Sequence, residues 1–173
     1  MFLLALSAPA WAQDNAAKER IEPGQVLRPA AREFRATVIR VADGDTMVVR
    51  TSDFAEVKVR LYGIDAPEAN QPGGAEATAA LKPLQGKTVK LIEMDTDRYS
   101  RMVALVEHEG RTVNLGLVAQ GQAWYYPHHC KEQPICGRIR AAEREARAMK
   151  KGLWAAKNPA PPWERWRARR AGP

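Results

Sequence analysis

Cysteine and histidine are scarce: the 173-residue chain has two of the first and three of the second. This limits zinc chemistry, which draws on about four thiolate or imidazole ligands per structural site. No His-x-x-x-His spacing and no Cys pair falls in the charged stretches described below. Long apolar runs are also missing. Apart from a short one at the N-terminus, nothing approaches the ~20 consecutive apolar residues of a membrane helix, so no membrane span is expected. There is no internal repeat, and low complexity is confined to the Pro- and Arg-rich tail at 158–173.

What is present is charge and a moderate apolar content. A hydrophobic share of 45% over this length suits one domain with a core and is too little for two large ones. Lys and Arg number 27 against 20 Asp and Glu, a net charge of +7. That balance points to a polyanionic partner, either nucleic acid or an anionic membrane surface, against the plainer reading of a basic, soluble secreted protein. Residues 1–12, MFLLALSAPAWA, are a short apolar run ending in a small-x-small pattern, which reads as a secretory signal lacking the usual basic n-region. Residues 13–32 read as a linker, 33–157 as the folded domain and 158–173 as a tail.

From Phe34 the pattern is that of strands. FRATVIRV, TMVVRT and EVKVRLYGI alternate apolar and polar residues and are rich in β-branched types, predicting a three-strand meander with an Asp43-Gly44 turn. A helix is expected over Gly74–Leu84, ended by Pro83 and a Leu84-Gln85-Gly86 turn. KTVKLIEM and MVALVE supply two more strands, followed by a Glu109-Gly110 turn. A short helix over Asn114–Gln120 would have Asn114 as its N-cap and Gly121 past its end. The last helix shows apolar residues at Ile139, Ala142, Ala146, Met149 and Leu153, one face packed on the sheet, and Gly152 as its end. Its opposite face carries Arg138, Arg140, Arg144, Arg147 and Lys150, read as solvated. Five strands with three α-helices give an α+β class, a five-stranded Greek-key β-barrel of the OB-fold type.

The residues that ask for a chemical explanation lie in three stretches. VRLYGIDAPE at 59–68 places Arg60, Asp65 and Glu68 within nine positions, at the end of a strand that runs into a Pro67 loop. DGDT at 43–46 adds Asp43 and Asp45 in a tight turn, and DRYSR at 97–101 adds Arg98, Tyr99 and Arg101. Carboxylates beside guanidinium groups are the parts needed to hold a hard cation next to a phosphate. Calcium takes six to eight oxygen ligands, and two carboxylates, a carbonyl, waters and a phosphate oxygen can supply them. A planar guanidinium binds two phosphate oxygens at once, which suits Arg better than Lys. Taken singly, each arginine reads as a surface strand residue, Glu68 as a solvated loop carboxylate, and Asp43 and Asp45 as turn formers.

DGDT, RLYGIDAPE, DRYSR and VNLGLVAQGQA at 113–123, in that order, resemble the staphylococcal nuclease (thermonuclease) family over about Phe34–Trp154. The resemblance implies an OB-fold, calcium-dependent phosphodiesterase that cuts DNA and often RNA, leaving 3′-phosphate and 5′-hydroxyl ends. It further implies that Asp45 and Asp65 bind Ca2+ with the backbone carbonyl of Ala66, and that Glu68 handles the attacking water. Arg60 and Arg101 would grip the reacting phosphate, with Tyr99 and Arg98 contacting substrate beside it. Two positions depart from the family pattern: Ala66 replaces a threonine, and Ser100 replaces the glycine before Arg101. The aromatics Trp124, Tyr125 and Tyr126 have no clean counterpart, and their role stays open.

Cys130 and Cys136 are expected to form a disulfide in an exported protein. A zinc site with His128 and His129 is the alternative, and His108 reads as a surface residue. The expectation is a secreted or periplasmic monomer with nucleic acid as its partner and no protein partner. Two other readings stay open: a catalytically weak or inactive OB-fold nucleic-acid-binding module of the cell envelope, and an envelope protein whose basic tail holds anionic lipid or wall polymer.

Overall fold

The structure, a computed structural model, describes residues 31–164. The signal segment, the linker up to residue 30 and the tail from residue 165 lie outside the described residues.

The alternating stretches form strands β1 (Glu33–Val41), β2 (Thr46–Arg50) and β3 (Glu56–Leu61), joined as an antiparallel meander. A two-residue strand β4 (Ile64–Asp65) follows the Tyr62-Gly63 break. Helix α1 (Gly74–Leu81) comes next, then β5 (Thr88–Thr96), β6 (Met102–His108) and β7 (Arg111–Thr112). Helix α2 (Val113–Ala119), strand β8 (Trp124–Tyr125) and helix α3 (Ile135–Ala148) complete the order. β5 pairs with β1 and with β6 in antiparallel fashion, and β6 pairs with β3 in parallel. That last pairing closes five strands, in the order β3-β2-β1-β5-β6, into the expected barrel.

The barrel is filled by the inward half of each alternation. Val38, Met47, Val49, Val59, Leu61, Val89, Leu91 and Val106 are almost wholly buried, and Leu81 from α1, Val118 from α2 and Ile139 from α3 pack onto the same core. Burial on this scale contributes about 1.5–3 kcal/mol per large aliphatic side chain, which is why the meander holds its register: a one-residue slip would turn these side chains to water.

Three local expectations need correcting. Helix α1 ends at Leu81, with Lys82–Leu84 as a tighter 3-10 turn, because Pro83 has no amide N–H to continue the ladder. Asn114 is not the cap of α2, since Thr112 stands at that position. Asn114 is instead fully buried; its Oδ1 accepts from the Val106 N–H at 3.0 Å, and its Nδ2 donates to the Tyr62 and Ala104 carbonyls at 2.9 and 3.2 Å. It serves the strand ends β3 and β6 where the hydrogen-bond ladder leaves groups unpaired. Helix α3 stops at Ala148, with Lys150 in the left-handed region at φ 52°, so Met149 is exposed and Leu153 lies in a separate 3-10 turn. The 3.6-residue spacing continued by coincidence past the true end. Nor is the basic face of α3 wholly solvated: Arg147 stacks over the Trp154 and Trp124 rings, 4.0 and 5.0 Å from their centroids.

Candidate active site

The turn between β1 and β2 carries Asp43 and Asp45. Asp43 Oδ1 accepts the Asp45 N–H at 3.0 Å, a local side-chain closure that shapes the turn. Gly44 is required by crowding: a Cβ there would lie 2.5 Å from the Ala77 Cβ and 2.8 Å from that of Ala66, so only glycine lets α1 and the β4 loop close onto this turn. The Asp45 carbonyl accepts the Leu61 N–H at 2.9 Å, which fixes Asp45 against the end of β3.

Arg60 faces away from the barrel core, as the alternation predicts, yet it is buried. Its Nη1 lies 2.6 Å from Asp45 Oδ2 and its Nη2 donates to Asp65 Oδ1 at 2.5 Å, so one guanidinium bridges two carboxylates. The Nη1 contact is an ion pair that lies off the hydrogen-bond direction. Ala66 enters the cage through its amide N–H, which donates to Asp45 Oδ2 at 2.6 Å. The Thr46 hydroxyl donates to Asp45 Oδ1 at 3.0 Å. Asp65 is held from behind by the pairing of β4 with β8, in which it stands opposite Trp124.

Burial raises the carboxyls of both Asp45 and Asp65 above the usual range against the pull of Arg60, and the neighbouring carboxylates add to the rise. The reason is visible in the charge: two buried carboxylates share one guanidinium, leaving a net charge of −1. Asp65 Oδ2 is buried with no hydrogen-bond partner. A cage that is one positive charge short and holds an unoccupied lone-pair oxygen suits a hard cation. Among the described residues no three His, Cys, Asp or Glu side chains converge, so the remaining ligands of such an ion have to be carbonyl, water and substrate oxygens.

Glu68 is exposed at the rim. Its charge is felt at both Arg60 and Asp65. The turn that carries it is fixed from both ends: its carbonyl accepts the Gln71 N–H at 2.8 Å, and its own N–H donates to Gln71 Oε1 at 3.1 Å.

Arg101 precedes Met102, which pairs with Val59, so it lies on the outer face of the barrel beside the strand of Arg60. It does not join the Asp45–Arg60–Asp65 cage. Its Nε donates to Asp97 Oδ2 at 2.7 Å, while Asp97 Oδ1 accepts the N–H groups of Tyr99 and Arg101. Ser100 sits at φ 57°, the left-handed conformation that glycine adopts freely. Tyr99 is exposed and lies under the guanidinium groups of Arg98 and Arg101, 4.8 and 5.5 Å from its centroid.

A scan against family models matches residues 58–156 to the staphylococcal nuclease homologue model. The chain belongs to the staphylococcal nuclease family. It is 40% identical over 140 residues to an uncharacterized endonuclease of Escherichia coli O157:H7, a match covering 80% of this chain and 88% of that one. An uncharacterized endonuclease of Haemophilus influenzae is 38% identical over 144 residues, with coverage of 82% and 78%. A micrococcal nuclease of Shigella flexneri is 35% identical over 149 residues, covering 80% and 83%.

Several parts of this family member's site were not readable from the motifs. The bridge between Cys130 and Cys136 is formed, so the zinc alternative with His128 and His129 has lost its thiolates. The loop it closes is docked on the site's own hairpin. Tyr62 Oη accepts from the Lys131 and Glu132 amides at 2.7 and 3.0 Å, and at Gly63, φ 74°, a Cβ would meet Cys130 Sγ at 2.6 Å. Tyr62 and Gly63 lie between Arg60 and Asp65, so the disulfide braces the cage. Tyr126 stacks with His129 at 5.1 Å and with Trp163 at 5.1 Å. His129 is shifted toward the neutral form by partial burial and then by the field of Arg60, which places this aromatic wall beside the cage. Its only sequence signal was a cluster of aromatics without a periodic pattern.

Proposed function

We propose that the protein is an exported, calcium-dependent nuclease that hydrolyses DNA, RNA or both to give 3′-phosphate and 5′-hydroxyl ends. As a member of its family it is a phosphodiesterase of the endonuclease type. The observation that carries the calcium reading is the net-negative cage of Asp45, Arg60 and Asp65 with its unpartnered Asp65 Oδ2.

Asp45 and Asp65 would hold the ion, with the Ala66 carbonyl as a further ligand. Calcium, when bound, offsets the charge that builds on the phosphoryl oxygens. A divalent ion turns the cage from −1 to +1, which frees part of the Arg60 charge for a phosphate. Glu68, outside the cage and open to water, takes a proton from the attacking water as its oxygen bonds to phosphorus. The bond from phosphorus to the 5′ oxygen breaks, and that oxygen leaves as a hydroxyl. Arg60 and Arg101 bind the non-bridging oxygens, and Tyr99 with Arg98 contacts the adjoining substrate. Export is supported by the Cys130–Cys136 disulfide, which persists in oxidising compartments.

The test is digestion of plasmid DNA and of RNA by purified protein with calcium and with excess chelator, followed by analysis of the product ends. Cleavage in calcium that stops in chelator, with 3′-phosphate ends, is expected. Full activity in chelator would remove the metal, and tight binding without cleavage under any divalent ion would favour the binding-module reading. Salt dependence adds a second check: affinity for single-stranded DNA should fall steeply as salt rises.

A further inference from the structure

Two cavities flank the segment that leaves α3. One, of about 410 Å³, is lined by Trp124, Arg147, Trp154 and Lys157. The other, of about 480 Å³, is lined by Gln71, Glu76, Gln122, Leu153 and Pro161. Ala156, Asn158 and Pro159 line both, so the cavities share a wall. Each is within the size range of small-molecule sites, about 300–1,000 Å³.

Each cavity is lined by side chains that are at least nine-tenths buried and have an unpartnered donor. Gln71 is 9% exposed; its Oε1 is used by the Glu68 amide, and its Nε2 has no partner. Trp124 and Trp154 are 5% and 7% exposed, and neither indole N–H has a partner. A buried donor left unpaired is costly, so three of them around two adjoining cavities call for acceptors that the protein itself does not provide.

The linings differ in chemistry. The smaller cavity offers indole N–H groups, the Arg147 guanidinium and the Lys157 ammonium. The nearby carboxylate of Glu143 is already taken, by the Tyr125 N–H at 3.1 Å and by Arg147 at 3.4 Å. That cavity selects an anion. The larger one offers the side-chain amides of Gln71 and Gln122 against Leu153 and proline rings, and its one charged lining residue is the anionic Glu76. It repels phosphate and accepts a flat, neutral ring with amide-like edges.

We propose that the two cavities together form a nucleotide-binding site apart from the Asp45–Arg60–Asp65 cage. The base enters the amide-lined cavity and accepts from Gln71 Nε2, the sugar crosses the wall at Asn158 and Pro159, and the phosphate meets Arg147, Lys157 and the indole N–H groups. The family match ends at residue 156, so Lys157, Asn158 and Pro161 come from sequence beyond it. Gln71 also holds the Glu68 turn, which places this site beside the point of cleavage and suits it to a flanking nucleotide of the bound strand. The choice of ligand rests on the nucleic-acid reading above, and the location rests on the cavities.

The test is calorimetric titration of the full chain with adenosine 5′-monophosphate in excess chelator, with 15N–1H spectra of its five tryptophan indoles. Assignments come from Trp124→Phe and Trp154→Phe. The nucleotide is expected to shift the Trp124 and Trp154 indole signals. Lys157→Ala combined with Asn158→Ala, both exposed positions, should weaken that binding by about tenfold, the scale of a lost charge-assisted contact. Gln71→Glu, which keeps an acceptor for the Glu68 amide and loses the donor, should weaken it similarly, while inorganic phosphate alone binds less tightly and still moves the indole signals. Unchanged affinity in the double variant, or indole signals that stay in place, overturns the proposal. The nuclease reading fails separately, by absence of cleavage in the wild type, and that outcome leaves these affinities as measured.

Discussion

Arg60 and Arg101 lie on the same outer face of adjoining parallel strands, and each is paired with aspartate, yet they are held in different ways. Arg60 is 11% exposed and takes its partners from two other elements, the β1–β2 turn and β4. Arg101 is 23% exposed and takes its partner from four residues earlier in its own loop. The first is part of the framework and the second is a local fixture. A residue's role in binding phosphate and its role in holding the fold are therefore separable here, and the separation can be measured.

The largest effect is expected from removing the framework cation. Arg60→Met leaves two buried carboxylates facing each other and should cost about 3–5 kcal/mol in urea unfolding, with loss of cleavage. Arg101→Met, which breaks a partly exposed pair, should cost less than about 1 kcal/mol while cleavage is still lost. Equal losses of stability would break the comparison.

Glu68→Gln sharpens it from the other side. Glu68 is exposed and carries none of the cage, so turnover should fall by at least about 10²-fold while the urea midpoint and oligonucleotide affinity stay unchanged. Single-turnover kinetics against a binding titration separate the two, and a wild-type rate would show that Glu68 is not the base.

A smaller effect belongs to the Arg101 loop. Ser100 holds a left-handed backbone that costs a non-glycine residue about 1–2 kcal/mol, so Ser100→Gly should raise the melting temperature slightly. No rise would mean that the Asp97 contacts dominate the loop's conformation.

The smallest effect is one of pH. Partial burial alone would raise the Asp97 carboxyl, but the Arg101 backbone and side-chain hydrogen bonds and the Tyr99 amide outweigh it and hold it below the usual carboxylate range. A depressed folded-state value means that its stabilisation is present above the unfolded aspartate range, near about 3.9, and is lost as pH falls through the folded value. The amide signals of Tyr99 and Arg101 should therefore broaden at acid pH before the barrel unfolds. Simultaneous loss of both would refute a local transition.

Much of this was legible in the chain because strand alternation and turn chemistry act locally. VRLYGIDAPE announced a strand, a break and a loop, and the barrel's five strands followed from apolar spacing. What could not be read depends on long-range partners. Asn114 looks like a cap from its neighbours, but its hydrogen bonds reach back to Tyr62. Arg60 looks like a surface residue until Asp45 folds over it from fifteen positions upstream. Met149 and Leu153 fit the helical period, and only the backbone reversal at Lys150 removes them from the face. Gln71 carries no motif at all, and its importance appears only when its Oε1 and Nε2 are followed separately.

The parallel pairing of β3 with β6 has a temporal meaning. Asp45, Arg60, Asp65 and Ala66 lie within 22 consecutive residues, so their cage belongs to the first hairpins that a folding chain can make. Arg101 arrives beside them only when β6 docks on β3, a contact between residues more than forty positions apart and hence among the slower steps of assembly. A partly folded chain can thus gather the cation-binding carboxylates while lacking the second phosphate clamp, and full competence to cut waits for the barrel to shut.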